Sequence, residues 1–370
     1  MVRRKMKTLK AASLELGLSY SQAKRVYRRY LDGGDEALVH GNTGRPSNNR
    51  TDEASVAKAV ELYREKYGDF GPTLARETLL ERDGLEIGVS TLRRALLAAG
   101  LWERRKKSGE YRSWRTPKAR FGELVQFDGS HHDWFEGRRS PCCLITMIDD
   151  ATKARLSQFF DGETIFVAMT VLKMWIERHG IPDSLYCDKK NAFVLAREPT
   201  DAEILAGVLK PKSHFGKACD GLGIEVIAAN SPQAKGRVER CHGVDQDRLV
   251  KALRLEDISE IGRANRFLLE TYLPKMNAKF SRQARKAEDA HVRPGGAKID
   301  DILCMEFGRS VSKDFIIHFQ SRLFQIQDTG KRLPRAGDKV LVRVRLDGSV
   351  HIFWKDRPLP VKEIPAMFDE

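Results

Sequence analysis

The chain has 370 residues, of which 41% are hydrophobic, and it carries a formal net charge of +14. This length corresponds to about two to four domains. No apolar stretch is long enough to span a bilayer, and none follows the basic first residues, so neither a membrane protein nor a secreted one is expected. Six cysteines without CxxC pairing are typical of reduced thiols and argue against a disulfide framework.

The positive charge is concentrated in the first third of the chain. Residues 1–120 carry 26 Lys and Arg against 15 Asp and Glu, a net charge of +11. Residues 121–370 carry 39 against 36, a net charge of +3. A basic region followed by a nearly neutral one predicts a polyanion partner for the first third, and nucleic acid fits better than an anionic membrane surface.

Residues 1–40 predict a first helix-turn-helix. In the segment 8–30, Gly17 supplies the turn and Ser19 can cap the second helix. The outer face of that helix is basic, which suits DNA, although an ordinary helical hairpin with a solvated face is the alternative. The candidate DNA-binding residues of this helix are Lys24, Arg25, Arg28 and Arg29.

Residues 41–50 form a Gly/Pro/Asn linker, and residues 51–102 predict a second helix-turn-helix with helices at 52–66, 72–82 and 89–99. Residues 103–120 are a basic linker that suits a path along phosphates, with a solvated connector as the alternative. The candidate DNA-binding residues in these segments are Arg45, Arg93, Arg94, Arg104, Arg105, Lys106 and Lys107.

From residue 121 the pattern changes to strands alternating with helices. Apolar strands are predicted at 124–128, 141–149, 155–160, 184–188 and 225–229, and helices at 163–179, 232–254 and 258–278. This order predicts an α/β core with a mixed sheet over residues 121–280. Short strands with turn signals then predict a small antiparallel barrel of about five strands within 295–370.

Two of the predicted core strands end in an aspartate, Asp128 and Asp188. The ends of neighbouring parallel strands converge, and the helix from residue 232 can bring Glu239 to the same place. Three adjacent carboxylates repel one another unless a divalent cation binds them. Oxygen ligands favour Mg²⁺ or Mn²⁺, and two such ions can cleave a phosphodiester. We therefore predict catalytic and metal-binding roles for all three acids.

Basic residues surround Glu239 and offer contacts to a phosphate backbone: Lys235, Arg237 and Arg240. The alternative is that Glu239 only forms a surface pair with Lys235, four residues earlier on the helix. Possible accessory residues are His131, His132 and His242. The rival acids Asp149 and Asp150 follow a strand, where acidic turn residues are common.

Three stretches carry a resemblance to a known family: QFDGS (126–130), YCDKKN (186–191) and NSPQAKGRVER (230–240). They resemble the retroviral-integrase-like, RNase H-like core of DDE transposases. ALVHGNTGRPS (37–47) and DGSHHDWFEGR (128–138) are similar to bacterial insertion-sequence transposases of the ISNCY group. The resemblance covers nearly the whole chain, and its acidic triad falls on Asp128, Asp188 and Glu239.

The resemblance implies Mg²⁺-dependent cleavage and strand transfer of DNA by a homo-oligomer in the bacterial cytoplasm, near the nucleoid. Its DNA partners would be the terminal inverted repeats of an element and a target duplex. The sequence departs from the family in a longer second spacing, attributed to an insertion near 195–222 with a helix at 201–209, and in the Lys-Lys-Asn after Asp188. A non-catalytic helix-turn-helix regulator and a stand-alone RNase H-like nuclease are the alternatives.

The expected architecture is therefore multidomain. It comprises all-α helix-turn-helix modules at the N-terminus, an α/β RNase H-like core, and a small C-terminal SH3-like β-barrel.

Overall fold

The structure is a computed structural model that describes residues 1–2, 4–39, 43–44, 51–104, 115–187, 211–228, 236–295, 298–328, 330 and 332–365. The chain divides into two compact units, Met1–Ser108 and Gly109–Glu370. The helix expected at 201–209 lies outside the described residues. So do six of the predicted site residues: Arg45, Arg105, Lys106, Lys107, Asp188 and Lys235.

The described elements of the first unit are all helical. They are α1 (Leu9–Glu15), α2 (Tyr20–Gly33), a 3-10 turn (Glu36–Leu38), α3 (Glu53–Lys66), α4 (Pro72–Asp83) and α5 (Val89–Ala98). The predicted start of α2 is confirmed, because the Ser19 side chain accepts a hydrogen bond from the Gln22 N–H. Gly17 has φ +64 in the preceding turn, a conformation that glycine adopts at little cost.

The two helical groups of this unit differ in burial. Helices α3 to α5 contain side chains at most 1% exposed: Tyr63, Leu79, Leu92 and Leu96. The Tyr63 hydroxyl also donates a 2.8 Å hydrogen bond to the Phe70 carbonyl. In α1 and α2, by contrast, the buried residues are Ser13 and Ala23, both small. The second group therefore has a core of its own, and the first buries little apolar surface.

The second unit combines a mixed sheet with helices. Its elements up to residue 280 are β1 (Val125–His132), β2 (Cys142–Asp149), β3 (Arg155–Phe160), α6 (Ile165–His179), β4 (Ser184–Cys187), α7 (His214–Leu222), β5 (Glu225–Ala228), α8 (Gly236–Leu255), α9 (Ile261–Phe267), a π-helical turn (Leu268–Tyr272) and α10 (Leu273–Phe280). The sheet order is β3-β2-β1-β4-β5. β1, β2 and β3 pair antiparallel, whereas β4 runs parallel to both β1 and β5, so the predicted mixed sheet is confirmed.

Helices cover both faces of this sheet. Alternation along β1 turns Val125 and Phe127 to one face and Gln126 and Asp128 to the other. The first face belongs to the main hydrophobic cluster, which also contains buried residues of α6. The second face meets α8, because the Val238 N–H of α8 donates to the Gln126 side chain. These are called the α6 face and the α8 face.

Two asparagine side chains hydrogen-bond to the outer edge of the edge strand β3. Asn265 accepts from the Phe159 N–H and donates to the Phe159 carbonyl, at 2.7 and 3.0 Å. Asn277 does the same for the N–H and carbonyl of Arg155, at 3.0 and 2.9 Å. The two amides occupy backbone groups that an added strand would otherwise pair with. The helical segment from α9 to α10 is thereby held against the sheet.

The C-terminal strands form two separate antiparallel sheets. A short helix α11 (Ile299–Ile302) precedes β6 (Cys304–Ser310), β7 (Ile316–Phe319), β8 (Arg322–Ile326), β9 (Lys339–Arg345), β10 (Val350–Trp354), β11 (Arg357–Pro358) and β12 (Val361–Ile364). The sheet orders are β11-β10-β9-β6 and β12-β8-β7, around one shared hydrophobic cluster. Among the described residues the strands do not close into the single barrel that the sequence predicts.

The strand β6 was not predicted. Its residues CMEFGRS alternate weakly and include a glycine and three charged or hydroxyl side chains. It is a strand because all seven residues pair with β9, from Cys304–Arg345 to Ser310–Lys339.

Within the described residues, no helix combines the length and the apolar character that crossing a bilayer requires.

Candidate active site

Asp128 lies in the middle of β1 rather than at its end. The prediction that the strand ends there is wrong, because residues 129–132 continue the antiparallel pairing with β2. The described parallel pairing with β4, however, stops at Gln126. Asp128 therefore stands just beyond the parallel ladder, on the α8 face, with its side chain 18% exposed.

Asp188 itself lies outside the described residues, but the strand that precedes it is described. β4 ends at Cys187, which is buried. The parallel register joins Val125 to Leu185 and Gln126 to Tyr186, an offset of 60 residues in both pairs. In the sequence, the same 60 residues separate Asp128 from Asp188.

Helix α8 packs alongside β1. The Val238 N–H donates a 3.2 Å hydrogen bond to Gln126 Oε1. One helical turn further on, His242 Nδ1 lies 4.0 Å from Asp128 Oδ2. His242, a predicted accessory residue, therefore lies near the Asp128 carboxylate.

A third contact extends this alignment. Gln246 Nε2 donates a 3.2 Å hydrogen bond to Ser130 Oγ. The contacting positions thus advance by four residues along α8 and by two along β1. Four helical residues rise about 6 Å and two strand residues about 6.6 Å, so helix and strand stay in step. The two elements run in the same direction, with the first turn of α8 beside the start of β1.

Glu239 follows directly after Val238 in the first turn of α8, and it is exposed. Because Val238 is fixed to Gln126 and His242 reaches Asp128, the Glu239 backbone lies alongside the segment of β1 that carries Asp128. The structure therefore brings the helical turn of Glu239 beside the strand that carries Asp128. Lys235, the partner in the surface-pair alternative, lies outside the described residues.

Asp150 anchors the first turn of α8, a role that sequence reasoning missed. Its carboxylate is fully buried and bonds to the guanidinium groups of Arg237 and Arg115, each at 2.5 Å. It also accepts from the Lys118 N–H and from Gln126 Nε2. Burial alone would raise the pKa of Asp150, but the Lys118 N–H and Arg237 outweigh it and lower the pKa. Asp150 thereby connects Gln126 of β1 to the start of α8.

Arg237 is therefore held by the protein, with its side chain only 19% exposed. Arg240, in contrast, is exposed. A groove beside this turn of α8 has a strongly basic lining that includes Lys153, Arg237 and Arg240. The pKa of Lys153 is lowered by burial and then by the nearby charge of Arg282 and of the two α8 arginines. Such a concentration of positive charge favours an anion.

A buried ion pair fixes α8 to the far edge of the same face. Arg155 Nη1 of β3 bonds to Asp245 Oδ2 of α8 at 3.0 Å, and the two side chains are 5% and 1% exposed. The Tyr272 hydroxyl donates to the other oxygen of Asp245 at 2.7 Å. This network also went unpredicted, because residues 155 and 245 look like ordinary surface charges in the sequence.

The remaining predicted site residues that the structure describes lie in several different parts of the chain's fold. His131 lies on the α6 face, 3.7 Å from Glu163, and His132 packs its ring edge against Trp134. The described N-terminal candidates are exposed: Lys24, Arg25, Arg28, Arg29, Arg93, Arg94 and Arg104.

The second unit therefore has a five-stranded mixed sheet of order β3-β2-β1-β4-β5, with Asp128 on β1 and Glu239 on the helix beside it. No family model matches the chain. The transposase y4bF of Sinorhizobium fredii (strain NBRC 101917 / NGR234) is 37% identical over 359 residues, which cover 96% of this chain and 77% of the relative. The transposase for insertion sequence IS1202 of Streptococcus pneumoniae is 28% identical over 397 residues, with 97% and 83% covered.

Among solved structures, a chain of the simian T-cell lymphotropic virus intasome in complex with PP2A regulatory subunit B56 gamma matches at a TM-score of 0.36 and 13% identity, covering 84% of this chain and 96% of that one. The HTLV-2 integrase catalytic core domain in complex with magnesium matches at 0.30 and 18%, covering 41% and 88%. On the identity and coverage of the first relative, the chain belongs to the family of insertion-sequence transposases, DDE enzymes that cut and join DNA.

Proposed function

We propose that Asp128, Asp188 and Glu239 are the catalytic acids of this transposase and that together they bind two Mg²⁺ or Mn²⁺ ions. The main support is the alignment of α8 with β1, which sets the turn of Glu239 beside the strand of Asp128. The offset of 60 residues between β1 and β4 supports Asp188 as the third acid.

The donor set fits such ions, because carboxylate oxygens are the ligands that Mg²⁺ and Mn²⁺ prefer. Held by these residues, two such ions would supply activation of a water or a 3′-hydroxyl and stabilisation of the leaving oxygen of a phosphodiester. The chain's own residues orient the site. Asp150 and Arg237 fix the first turn of α8, and His242 lies against Asp128.

The basic groove would hold the phosphate backbone next to these acids. We propose Arg240, Lys153 and Lys235 as phosphate contacts. Arg237, also a candidate, acts mainly as an anchor through Asp150. Contacts of this kind release counterions, so each lysine or arginine that reaches a phosphate makes binding steeper in salt.

For the regions outside the core, we propose that the two helical groups of the first unit are helix-turn-helix modules that bind the terminal inverted repeats. The two C-terminal sheets would brace DNA or a second copy of the chain. The working form would be a homo-oligomer on DNA in the bacterial cytoplasm, at the nucleoid.

Replacing Arg28 and Arg29 together with Ala is expected to weaken binding to an end-containing duplex and to reduce the salt slope by about one per lost phosphate contact. Fluorescence anisotropy with end-containing and scrambled duplexes measures both quantities. Equal affinity of the parent for the two duplexes would mean that these helices supply charge without sequence recognition.

The central experiment replaces one acid at a time, Asp128→Asn, Asp188→Asn and Glu239→Gln, and follows strand nicking of an end-containing duplex in Mg²⁺. Each variant is expected to lose nicking while it still binds the duplex, because the amides keep the size but not the charge. Asp161→Asn is the matched control, since Asp161 is 85% exposed and pairs with Arg139 away from the acids. A triad variant that nicks at the parental rate would remove its residue from the site.

A further inference from the structure

Three potential metal ligands meet on the α6 face, away from the proposed catalytic acids. They are His131 of β1, Cys143 of β2 and Glu163 in the turn before α6. The three ligand atoms lie within 4.8 Å of one another, and His131 and Cys143 are direct partners across the two strands. Alternation along β1 puts His131 on the opposite face from Asp128.

A glycine makes room for this cluster. A Cβ atom at Gly129 would lie 3.0 Å from Cys143 Sγ and 3.1 Å from Glu163 Cδ. Both distances are short for carbon contacts, so any larger residue at this position would crowd the thiol and the carboxylate. Gly129 thus lets the Glu163 carboxylate reach the surface of the sheet beside Cys143.

The surroundings of the cluster are half enclosed. Cys143 is fully buried, and the Glu163 side chain is 9% exposed. The His131 side chain is 61% exposed and closes the cluster from the solvent side. The site therefore has two fixed ligands below and one movable ligand at its mouth, which gives an ion a path for entry.

We propose that His131, Cys143 and Glu163 bind a zinc ion or a similar divalent transition metal. Thiolate, imidazole and carboxylate are all zinc ligands, whereas Mg²⁺ prefers oxygen donors alone. Ligand bonds of about 2.0–2.3 Å bring donor atoms to roughly 3.3–3.7 Å of one another. His131 Nε2 and Glu163 Oε2 are already 3.7 Å apart.

Binding would change the protonation of one ligand. The Cys143 thiol loses its proton to solvent and binds as the thiolate, with no change in oxidation state of metal or sulfur. Three protein ligands leave the fourth position of a tetrahedral ion to water on the side of His131. The ion would join β1, β2 and the entry to α6, and so stiffen the sheet behind Asp128.

This proposal does not depend on the proposed catalytic site, and cobalt can separate the two. The full-length protein is stripped with a chelator, kept in excess Mg²⁺ to fill carboxylate sites, and titrated with Co²⁺. The parent is expected to show a thiolate-to-cobalt charge-transfer band and intense visible bands from one tetrahedral ion per chain. Asp128→Asn is expected to show the same spectrum.

Variants then assign the ligands. Cys143→Ser is expected to lose the charge-transfer band, and His131→Ala to lower Co²⁺ affinity by more than about 10-fold, the loss that even outer-shell substitutions cause. Cys142→Ser is the matched control, because Cys142 is the equally buried neighbour on the other face of β2. His131 is exposed, so its loss does not threaten folding.

Two further measurements complete the test. Gly129→Ala keeps all three ligands but adds the crowding Cβ, and it is expected to weaken Co²⁺ binding as well. Zn²⁺ is expected to raise the melting temperature of the parent and of Cys142→Ser, but not of Cys143→Ser, because a ligand stabilises the state that binds it. A parent without a charge-transfer band, or one that Cys143→Ser leaves unchanged, would reduce the cluster to a His131–Glu163 ion pair.

Discussion

The two faces of the central sheet differ in chemistry although the same strands form both. Toward α6, the first three strands present side chains at most 2% exposed: Val125, Phe127, Ile145, Met147 and Leu156. Toward α8, the alternate positions of those strands include polar side chains: Gln126, Asp128, Ser130, Thr146, Arg155 and Ser157. The α6 face excludes water with apolar surface, and much of the α8 face does so with hydrogen bonds and ion pairs.

The difference shows how one sheet serves stability and chemistry at once. An apolar face tolerates small errors in position, because its contacts have little direction. A buried polar face fixes position, because each unmet donor or acceptor costs about 1–3 kcal/mol. The polar face is the one that carries Asp128 and supports the helix of Glu239. We infer that its network serves to hold these acids in a defined register.

Removing Asp245 is expected to cause the largest loss of stability, about 3–5 kcal/mol, because the buried Arg155 guanidinium then lacks its carboxylate. Truncating Phe127 to Ala on the α6 face is expected to cost a similar amount, about 3–5 kcal/mol, through the cavity it leaves. Urea unfolding followed by tryptophan fluorescence measures both, since Trp134 and Trp175 are fully buried in this unit.

The two losses differ in how they can be repaired. Replacing Arg155 with Met and Asp245 with Leu together is expected to recover most of the stability, because an apolar pair removes both buried charges. Arg254→Ala is the control on the same helix, since the side chains of Arg254 and its partner Glu136 are 36% and 32% exposed. If Asp245→Ala costs no more than this control, the polar face does not depend on its buried pair.

The α6 face was largely predictable from sequence. The run CCLITMID is apolar up to its final acid except at Thr146, and the helix before residue 180 has an apolar stripe, so burial and element type follow from the pattern. Strand and helix bounds agree with the structure within a few residues for β2, β3, α6 and β4. Their residues are buried because they are hydrophobic, and hydrophobicity is the property on which the prediction depends.

The α8 face was only partly predictable. Asp128 and Glu239 were predicted from a family resemblance and from their positions, Asp128 at the end of a predicted strand and Glu239 in a predicted helix. Arg155, Asp245 and Asp150 did not emerge, because a charged residue gives the same signal in sequence whether it is solvated or buried in a pair. The pairs join positions about 90 residues apart, and no local period connects them. The strand β6 was not predicted for the same reason, since its conformation depends on pairing with the distant strand β9.

A smaller effect is expected from Asp150→Asn, about 1.5–3 kcal/mol, because the amide loses the charge-assisted bonds to Arg237 and Arg115. The start of α8 should then shift relative to β1. At saturating DNA, nicking is expected to slow while affinity for the duplex is retained. Single-turnover nicking and anisotropy, well below the melting temperature, separate these two quantities.

The matched control for this change is Asp161→Asn, which removes an Asp–Arg pair of the same type from a side chain that is 85% exposed. Surface pairs contribute about 0–1 kcal/mol, so little loss is expected there. Nicking by Asp150→Asn at the parental rate would show that Glu239 keeps its place without this anchor, and that the polar network contributes stability alone.

The last expected effect concerns pH and a titratable group beside the apolar core. His179, the last residue of α6, packs its ring against Phe121, Trp175 and His291. Burial, followed by the charge of His291 and Arg178, lowers the pKa of His179 from 6.5 to about 4. On acidification the unfolded chain takes up this proton near its ordinary pKa, whereas the folded chain does so only near the lowered one. The contribution is therefore complete above 6.5 and is lost as the pH falls from 6.5 to 4.

Melting temperatures of the parent and of His179→Gln, which does not titrate, isolate this contribution. The difference between them is expected to move in favour of the variant as the pH falls from about 7 to about 4.5. The comparison between variants is needed because burial raises the pKa of Asp149, so that its proton uptake opposes the effect in both proteins. On the α8 face, Asp150 is expected to keep its charge over this range, since its pKa lies below its ordinary value of 3.8. A difference that stays constant with pH would mean that His179 is protonated as easily in the folded chain as in the unfolded one, and that acid acts on the two faces alike.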